Sequence, residues 1–366
     1  MKIEVLKKHL EEAVQMVSRV SNKNLSLPVL GCILISATTN GASLRATNLD
    51  VSIEVQLKSK INDGGVVAIP AQVFLQAVNA IIDEKIHIST DGNMLNLKTK
   101  HGETNLKTVD ASEFPSLPYI KKGVGVSVSI PSKEFIRSLK SVVFSAANSG
   151  MRPELAAVFI SMSDGTLTTA ATDSFRLAEM TTSLKTKESF DPILVPARNI
   201  PDIIRTIDPT DTVEIRVDDN QATYIAGGNF ITSRLIDGAF PEYHAIIPKK
   251  HTTSATVLLE DLSQALRKVT VVTDQSGQVD FNIDTKKRTF TLTASSAPVG
   301  TTHESIESTI DGENIAMRFN ARYIIDALNI ISTDSVTLQF SGPGKPLVIH
   351  ETPNKGFTYL LMPMNR

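Results

Sequence analysis

Ile69-Pro70-Ala71 opens an apolar-periodic run that returns 126 residues later as Val195-Pro196-Ala197, and 124 further on, altered, as Phe319-Asn320-Ala321. Other landmarks keep the same phase. Glu113-Phe114-Pro115 recurs as Ala239-Phe240-Pro241, the chain closes on Met362-Pro363-Met364, and Ala46-Thr47-Asn48 returns as Ala171-Thr172-Asp173. Several landmarks in one phase mark an internal repeat, so three domains of one design are expected, at residues 1–122, 123–250 and 251–366. Lys121-Lys122-Gly123 and Lys249-Lys250-His251-Thr252 are the linkers, too short for freely tumbling domains.

Within each repeat helical periodicity occurs twice, over Leu6 to Val20, Ala71 to Ile82, Ser132 to Val143, Ala197 to Ile207, Leu259 to Thr270 and Ala321 to Ile331. Phe74, Leu75, Val78, Ile81 and Ile82, or Phe135, Ile136, Leu139, Val142 and Val143, give each helix one apolar face. Pro70, Pro131 and Pro196 stand where a helix begins and a missing N–H costs little. Between helices the period falls to two, in Ile86 to Ile88, Val213 to Val217 and Val336 to Phe340, with turn residues after each. The pattern predicts an α+β architecture, two helices per domain packed on antiparallel sheets.

Composition adds bounds. The chain has 366 residues, 41% hydrophobic, 21% charged and one cysteine; this is an ordinary globular composition with no internal disulfide framework. No uncharged apolar run reaches the roughly 20 residues of a membrane span, and the charged N-terminus is unlike a signal peptide. A cytoplasmic protein without membrane association is expected. The six helical stretches hold eleven Lys or Arg against seven Asp or Glu, while the whole chain nets −2. Lys133, Arg137 and Lys140 fall on one helical stripe, and Arg198, Arg205, Arg267 and Lys268 occupy polar helix positions. Solvated helices carry such residues anyway, but on a repeated scaffold a mildly basic helical layer suits one surface facing a polyanion. A pI near 6.4 argues against a tight, phosphate-driven grip.

Leu27-Pro28-Val29-Leu30, Ala171 to Ala178, Asp237 to Tyr243 and the terminal Tyr359 to Met364, with the threefold repeat, resemble the bacterial DNA polymerase III beta subunit family over the whole chain. The resemblance implies three DNA-clamp domains per chain, a crescent monomer and a ring-shaped head-to-tail homodimer around double-stranded DNA, recognised without regard to sequence. Geometry agrees: helices spaced at about 8–10 Å close six into a circle roughly 15–19 Å across the axes and twelve into one roughly 31–38 Å across. Only the larger circle leaves room for a duplex once helix bodies about 10–12 Å thick are subtracted.

Further expectations follow from that resemblance. Dimer contacts fall at Thr104 and Leu106 on one side and Val271 and Val272 on the other, with Thr104 where relatives carry a bulkier aromatic. Lys23, Asn24 and Arg152 match loop positions that meet DNA, joining the helix cations Lys133, Arg137, Lys140, Arg198, Arg205, Arg267 and Lys268. A groove for short peptide motifs of the replicative polymerase, the clamp loader and other partners maps onto Leu155, Thr172, Phe175, Arg176, Leu177, Pro241, Ile246, Asn320, Tyr323, Pro346, Leu360, Leu361, Met362, Pro363 and Met364. Phe175 stands where a histidine is common. The implied role is a sliding clamp conferring processivity, a non-catalytic polymerase subunit with no cofactor. The alternative is a repeat-built peptide-binding scaffold that holds no nucleic acid.

Enzymatic readings find little in the residues. Cys32 sits in an apolar run and reads as buried filler, the seven histidines lack metal-ligand spacing, and Gly342-Pro343-Gly344-Lys345 lacks the phosphate-loop spacing. Asp173 reads as a turn residue because its repeat partner is Asn48.

Overall fold

The computed structural model describes residues 1–21, 27–115 and 119–364. The threefold repeat is written in its backbone hydrogen bonds. Lys7 N donates to Glu84 O at 2.8 Å, Ser132 N to Asp211 O at 3.0 Å and Leu259 N to Asp334 O at 2.9 Å, at the same place in each repeat. The turn at 47–51 is copied at 172–176. Asn48 Oδ1 accepts from Asp50 N and Val51 N, and Asp173 Oδ1 from Phe175 N and Arg176 N. The hydroxyls of Thr47 and Thr172 donate to Val51 O and Arg176 O. In both turns the third residue, Leu49 or Ser174, has a positive φ. A short polar side chain that satisfies the turn's N–H groups makes Asn and Asp interchangeable there.

The helices are α1 (Lys7–Ser18), α2 (Ala71–Ala80), α3 (Ser132–Val142), α4 (Ile200–Thr206), α5 (Leu259–Thr270) and α6 (Ala321–Leu328). The sequence reading is right on all six and generous at the ends. The fourth loses most: Ala197–Asn199 is a 3₁₀ turn, and α4 starts only where Pro201 can sit in its first turn. Each helix seals its apolar stripe: Leu10, Val14 and Val17 in α1, Phe135, Leu139 and Val142 in α3, and Leu262, Leu266 and Val269 in α5 are buried. Pro70, Pro131 and Pro196 end the strands that lead into the helices.

The contacts divide the chain into two compact units rather than three. The first comprises Met1–Ile136, Glu188–Phe190 and Arg198–Leu235, the second Arg137–Lys187, Asp191–Ala197 and Ile236–Arg366. Strand pairing across repeat borders explains why the second repeat is shared out. In the first unit Val51–Leu57, from the first repeat, pairs antiparallel with Asn229–Arg234, the last strand of the second. An eight-stranded sheet results, running from Val126–Pro131 to Gly65–Pro70. In the second unit Arg176–Ser183 pairs antiparallel with Phe357–Leu361, the last strand of the third repeat, inside a nine-stranded sheet.

Each unit holds one more sheet. That of the first has five strands and ends at Glu103–Lys107; that of the second has four and ends at Gly300–Ile306. Helix α1 lies against α2 and the strands Gly41–Thr47 and Val51–Leu57, while α5 lies against α6 and Thr289–Ser296 and Gly300–Ile306. Among the described residues no helix is long and apolar enough to cross a membrane.

Gly356, at φ +97°, lets the loop before the last strand approach closely: a Cβ there would run into the Thr181 carbonyl oxygen, which accepts no such neighbour without a backbone shift. Thr181 N donates to Gly356 O at 3.0 Å on the same approach. Gly356→Ala is expected to cost about 1–3 kcal/mol, read as a lower denaturant midpoint for the second unit, with the helix content of the folded protein unchanged.

Candidate functional site

The second unit carries an apolar groove. A cavity of about 210 Å³ is lined by Arg152, Leu155, Thr172, Ser174, Phe175, Arg176, Leu177, Pro241, Tyr243, Ile246, Leu360 and Met362. Its floor is a buried cluster of Ala170, Leu177, Tyr243, Val348 and Leu360, backed by Phe159, Phe240 and Ile247. The copied turn makes one wall. Asp173 holds the turn, Phe175 stands 63% exposed on its crest, and Phe175 O accepts from Met362 N at 2.8 Å, joining the wall to the chain end. Pro241 leads into the 3₁₀ turn Tyr243–Ala245, whose exit places Ile246 half out of the surface opposite.

Tyr243 anchors the floor. Its hydroxyl donates to Glu179 Oε1 at 2.6 Å, its ring meets Phe159 and Phe240 edge-on, and His244 stacks on it at 4.1 Å. Burial, and then the Glu179 carboxylate, push the phenol far above its ordinary pKa, so Tyr243 stays a neutral donor. Arg176 is also charged at any working pH. Burial opposes its charge, but the hydrogen bond to Asp326 and the charge of Asp173 raise its pKa still further.

Nine of the fifteen groove residues named from the sequence line this cavity. Asn320, Tyr323, Pro346, Leu361, Pro363 and Met364 do not. Leu361 is buried on the face of the last strand opposite Leu360, and Pro363 and Met364 line a separate cavity of about 550 Å³ beside Asp280 and Arg318. Asn320 caps α6, its Oδ1 accepting from Arg322 N at 3.0 Å. Ser174 and Tyr243 were missed. For Tyr243 the signal was the aromatic three residues after Phe240, inside a motif already singled out.

The DNA-facing set divides by ion pairing. Lys23 and Asn24 lie outside the described residues. Arg152, expected on a DNA-contacting loop, lines the groove, with Nε 3.2 Å from Glu154 Oε1 two residues along the same turn. Arg137 turns toward the buried Glu351 carboxylate at 3.5 Å. Arg198 pairs with Asp50 at 3.0 Å, Arg205 with Asp202 at 4.0 Å and Lys268 with Glu304 at 3.0 Å. Lys133, Lys140 and Arg267 are exposed and make no ion pair among the described residues. Arg19, not singled out from the sequence, joins Arg205, Glu12 and Gln15 around a cavity of about 260 Å³ between α1 and α4.

The expected dimer residues lie at two sheet edges. Thr104 is exposed and Leu106 half-buried on Glu103–Lys107, an end strand of its sheet. Val271, 75% exposed, and Val272 follow α5, which packs on the end strand Gly300–Ile306. A missed residue completes the symmetry: Ile82, 98% exposed, follows α2, which packs on Glu103–Lys107. Cys32 is buried, with its thiol pKa raised by burial. Among the described residues no group of three or more His, Cys, Asp or Glu is placed to hold a metal ion.

Repeated helices on antiparallel sheets, with strands exchanged across the repeat borders, define a three-domain clamp fold. Family models for the DNA polymerase III beta subunit match throughout: the N-terminal domain at residues 1–118, the central domain at 129–242 and the C-terminal domain at 244–365. The chain belongs to the DNA polymerase III beta subunit family. It is 25% identical to the beta sliding clamp of Synechococcus elongatus over 100% of this chain and 99% of the relative, and 25% identical to that of Vibrio cholerae over the full length of both. The crystal structure of the Bacillus subtilis DNA polymerase sliding clamp superposes with a TM-score of 0.94 at 24% identity, covering 100% of this chain and 99% of that one. The Pseudomonas aeruginosa sliding clamp bound to griselimycin gives 0.93 at 22%, covering both chains fully.

The groove residues separate by burial in what they contribute to stability. Leu177→Ala is expected to cost about 2–5 kcal/mol in chemical denaturation, as a large-to-small change in a packed core. Ile246→Ala, half in solvent, is expected to stay within about 0.5 kcal/mol of the parent protein.

Proposed function

We propose that this chain is a sliding clamp, closing head to tail with a second copy into a ring around double-stranded DNA and tethering the replicative polymerase. The observation that carries this is a pair of unmatched sheet edges. In the repeat, Val51–Leu57, Arg176–Ser183 and Gly300–Ile306 are equivalent strands, each the third after the first helix. Glu103–Lys107, Asn229–Arg234 and Phe357–Leu361 are equivalent last strands. The first of one set pairs with the second of the other, and the second with the third. That leaves Gly300–Ile306 and Glu103–Lys107, both at sheet ends. An unpaired edge invites another chain, and the partner that completes the cycle is the same edge pair on a second molecule. This heterologous contact closes after two copies.

The register follows from the same equivalence. Ser233 stands opposite Val51 and Leu361 opposite Arg176, which puts Leu106 opposite Gly300 and Asn105 opposite Thr301 in the dimer. Ile82 and Leu106 then meet Val271 and Val272 beside the joined strands. Domains of residues 1–122, 123–250 and 251–366 fit this cycle, a linker standing before the strand that opens the second repeat and another before the strand that opens the third.

Topological linkage needs little attraction. The helix cations are few and four of the seven named ones are already paired with carboxylates, which suits a ring that must move, since each neutralised phosphate strengthens the hold and its salt dependence. Among the described helix cations named from the sequence, Lys133, Lys140 and Arg267 are left to meet the duplex. Partners dock in the groove: two apolar anchors buried at roughly 1.5–3 kcal/mol each fall short of the about 8 kcal/mol that micromolar affinity requires, so backbone hydrogen bonds complete a readily reversible contact. The polymerase, the clamp loader and other clamp-binding proteins can then exchange on one ring. Synthesis itself belongs to the polymerase; the chain is a non-catalytic cytoplasmic subunit.

The tests follow. Light scattering gives a dimer; Ile82→Asp or Val271→Asp raises its dissociation constant about tenfold or more, the loss expected for one buried aliphatic side chain. Cysteines replacing Asn105 and Thr301 link two copies on oxidation. Rings loaded on circular plasmid outlast those on the same DNA linearised; equal loss from both would leave the peptide-binding scaffold as the reading.

A further inference from the structure

Arg176 lines the groove, yet its guanidinium is spoken for. Nε donates to Asp173 Oδ2 at 3.0 Å, Nη1 to Asp326 Oδ2 at 2.6 Å and Nη2 to Phe144 O at 2.8 Å. Its central carbon lies 4.3 Å from the Tyr323 ring centroid and 5.5 Å from that of Phe144, both within cation–π range. The side chain is about 10% exposed. A planar fork that satisfies two carboxylates and a carbonyl while stacking on an aromatic face is a use that lysine cannot copy.

We infer that Arg176 is a positioning residue, a strut that holds the groove wall to α6 through Asp326, rather than a contact for the bound segment. The inference rests on the groove reading of the proposed function. What the strut joins decides its effect. On one side is the turn Thr172–Arg176, which presents Phe175 and whose Phe175 carbonyl anchors Met362. On the other are Asp326 and Tyr323 of α6, with Tyr323 O accepting from Tyr359 Oη at 2.8 Å in the last strand. Asp326 does not line the cavity, so it can influence a ligand only through Arg176. A bound peptide is thereby read by shape and apolar contact at this wall, with no free guanidinium to reward an acidic residue.

The test measures binding of fluorescein-labelled hexapeptides with leucine and phenylalanine anchors on an alanine–serine background, each made with a free carboxylate and as the amide. Asp326→Asn is expected to weaken both forms about tenfold, the scale of a lost charge-assisted hydrogen bond, with dimer mass and thermal midpoint as folding controls. Arg176→Lys loses at least as much despite keeping its charge, and the double variant is no weaker than Arg176→Lys alone. Wild-type affinity in Asp326→Asn, additive losses, or a loss in Arg176→Lys confined to the free carboxylate would overturn the strut. Unchanged affinity in both Ile246→Ala and a chain shortened from Met362 would instead remove the groove reading, and this inference with it.

Discussion

Backbone pairing between strands of neighbouring repeats is the constraint on which everything else in this molecule depends. A buried strand edge must find donors and acceptors for every other residue along it, and here the partner edge comes from the next repeat: Asn229–Arg234 for Val51–Leu57, Phe357–Leu361 for Arg176–Ser183. The repeats therefore cannot separate without breaking a sheet, and the natural joints of the chain do not fall at its linkers. The groove is a by-product of one such junction. Its walls are the turn ahead of one strand and the residues just past the end of its partner, so the pairing that builds the sheet also builds the seat.

Much of this was legible in residue spacing. The three helix-opening triplets at 69–71, 195–197 and 319–321 are enough to count the repeats, and the Asn48 and Asp173 turns follow the sequence offset down to individual hydrogen bonds. What spacing could not reveal was which partner a charged side chain would choose. Arg137 has the periodicity of an exposed helix position, but Glu351, 214 residues away, lies within its reach and is buried without other strong cations. Arg152 finds Glu154 next door, and that pair could have been noticed had ion pairing within a turn been weighed against an outward reach. The division into two units was also hidden, because hydrophobic periodicity records which face of a strand is buried and carries nothing about which edge is shared.

Several arginines of this chain are spent internally. Arg176, Arg198, Arg205, Arg216 and Arg318 all face carboxylates. Exposed pairs such as Arg198 with Asp50 contribute little stability, typically below about 1 kcal/mol, but they cancel charge locally. Lys133, Lys140 and Arg267, by contrast, are exposed and make no ion pair among the described residues.

The copied turn carries a last consequence. Both turns share threonine, an Asx residue and a left-handed third position, yet the first continues Asp50-Val51 and meets Arg234, whereas the second continues Phe175-Arg176 and meets Met362. Arg198 reaches across to Asp50 in the first case, filling with a salt link the place where the second leaves a hydrophobic crest. Duplication thus supplied two like cradles, and divergence left an exposed aromatic ring on one and an ion pair on the other.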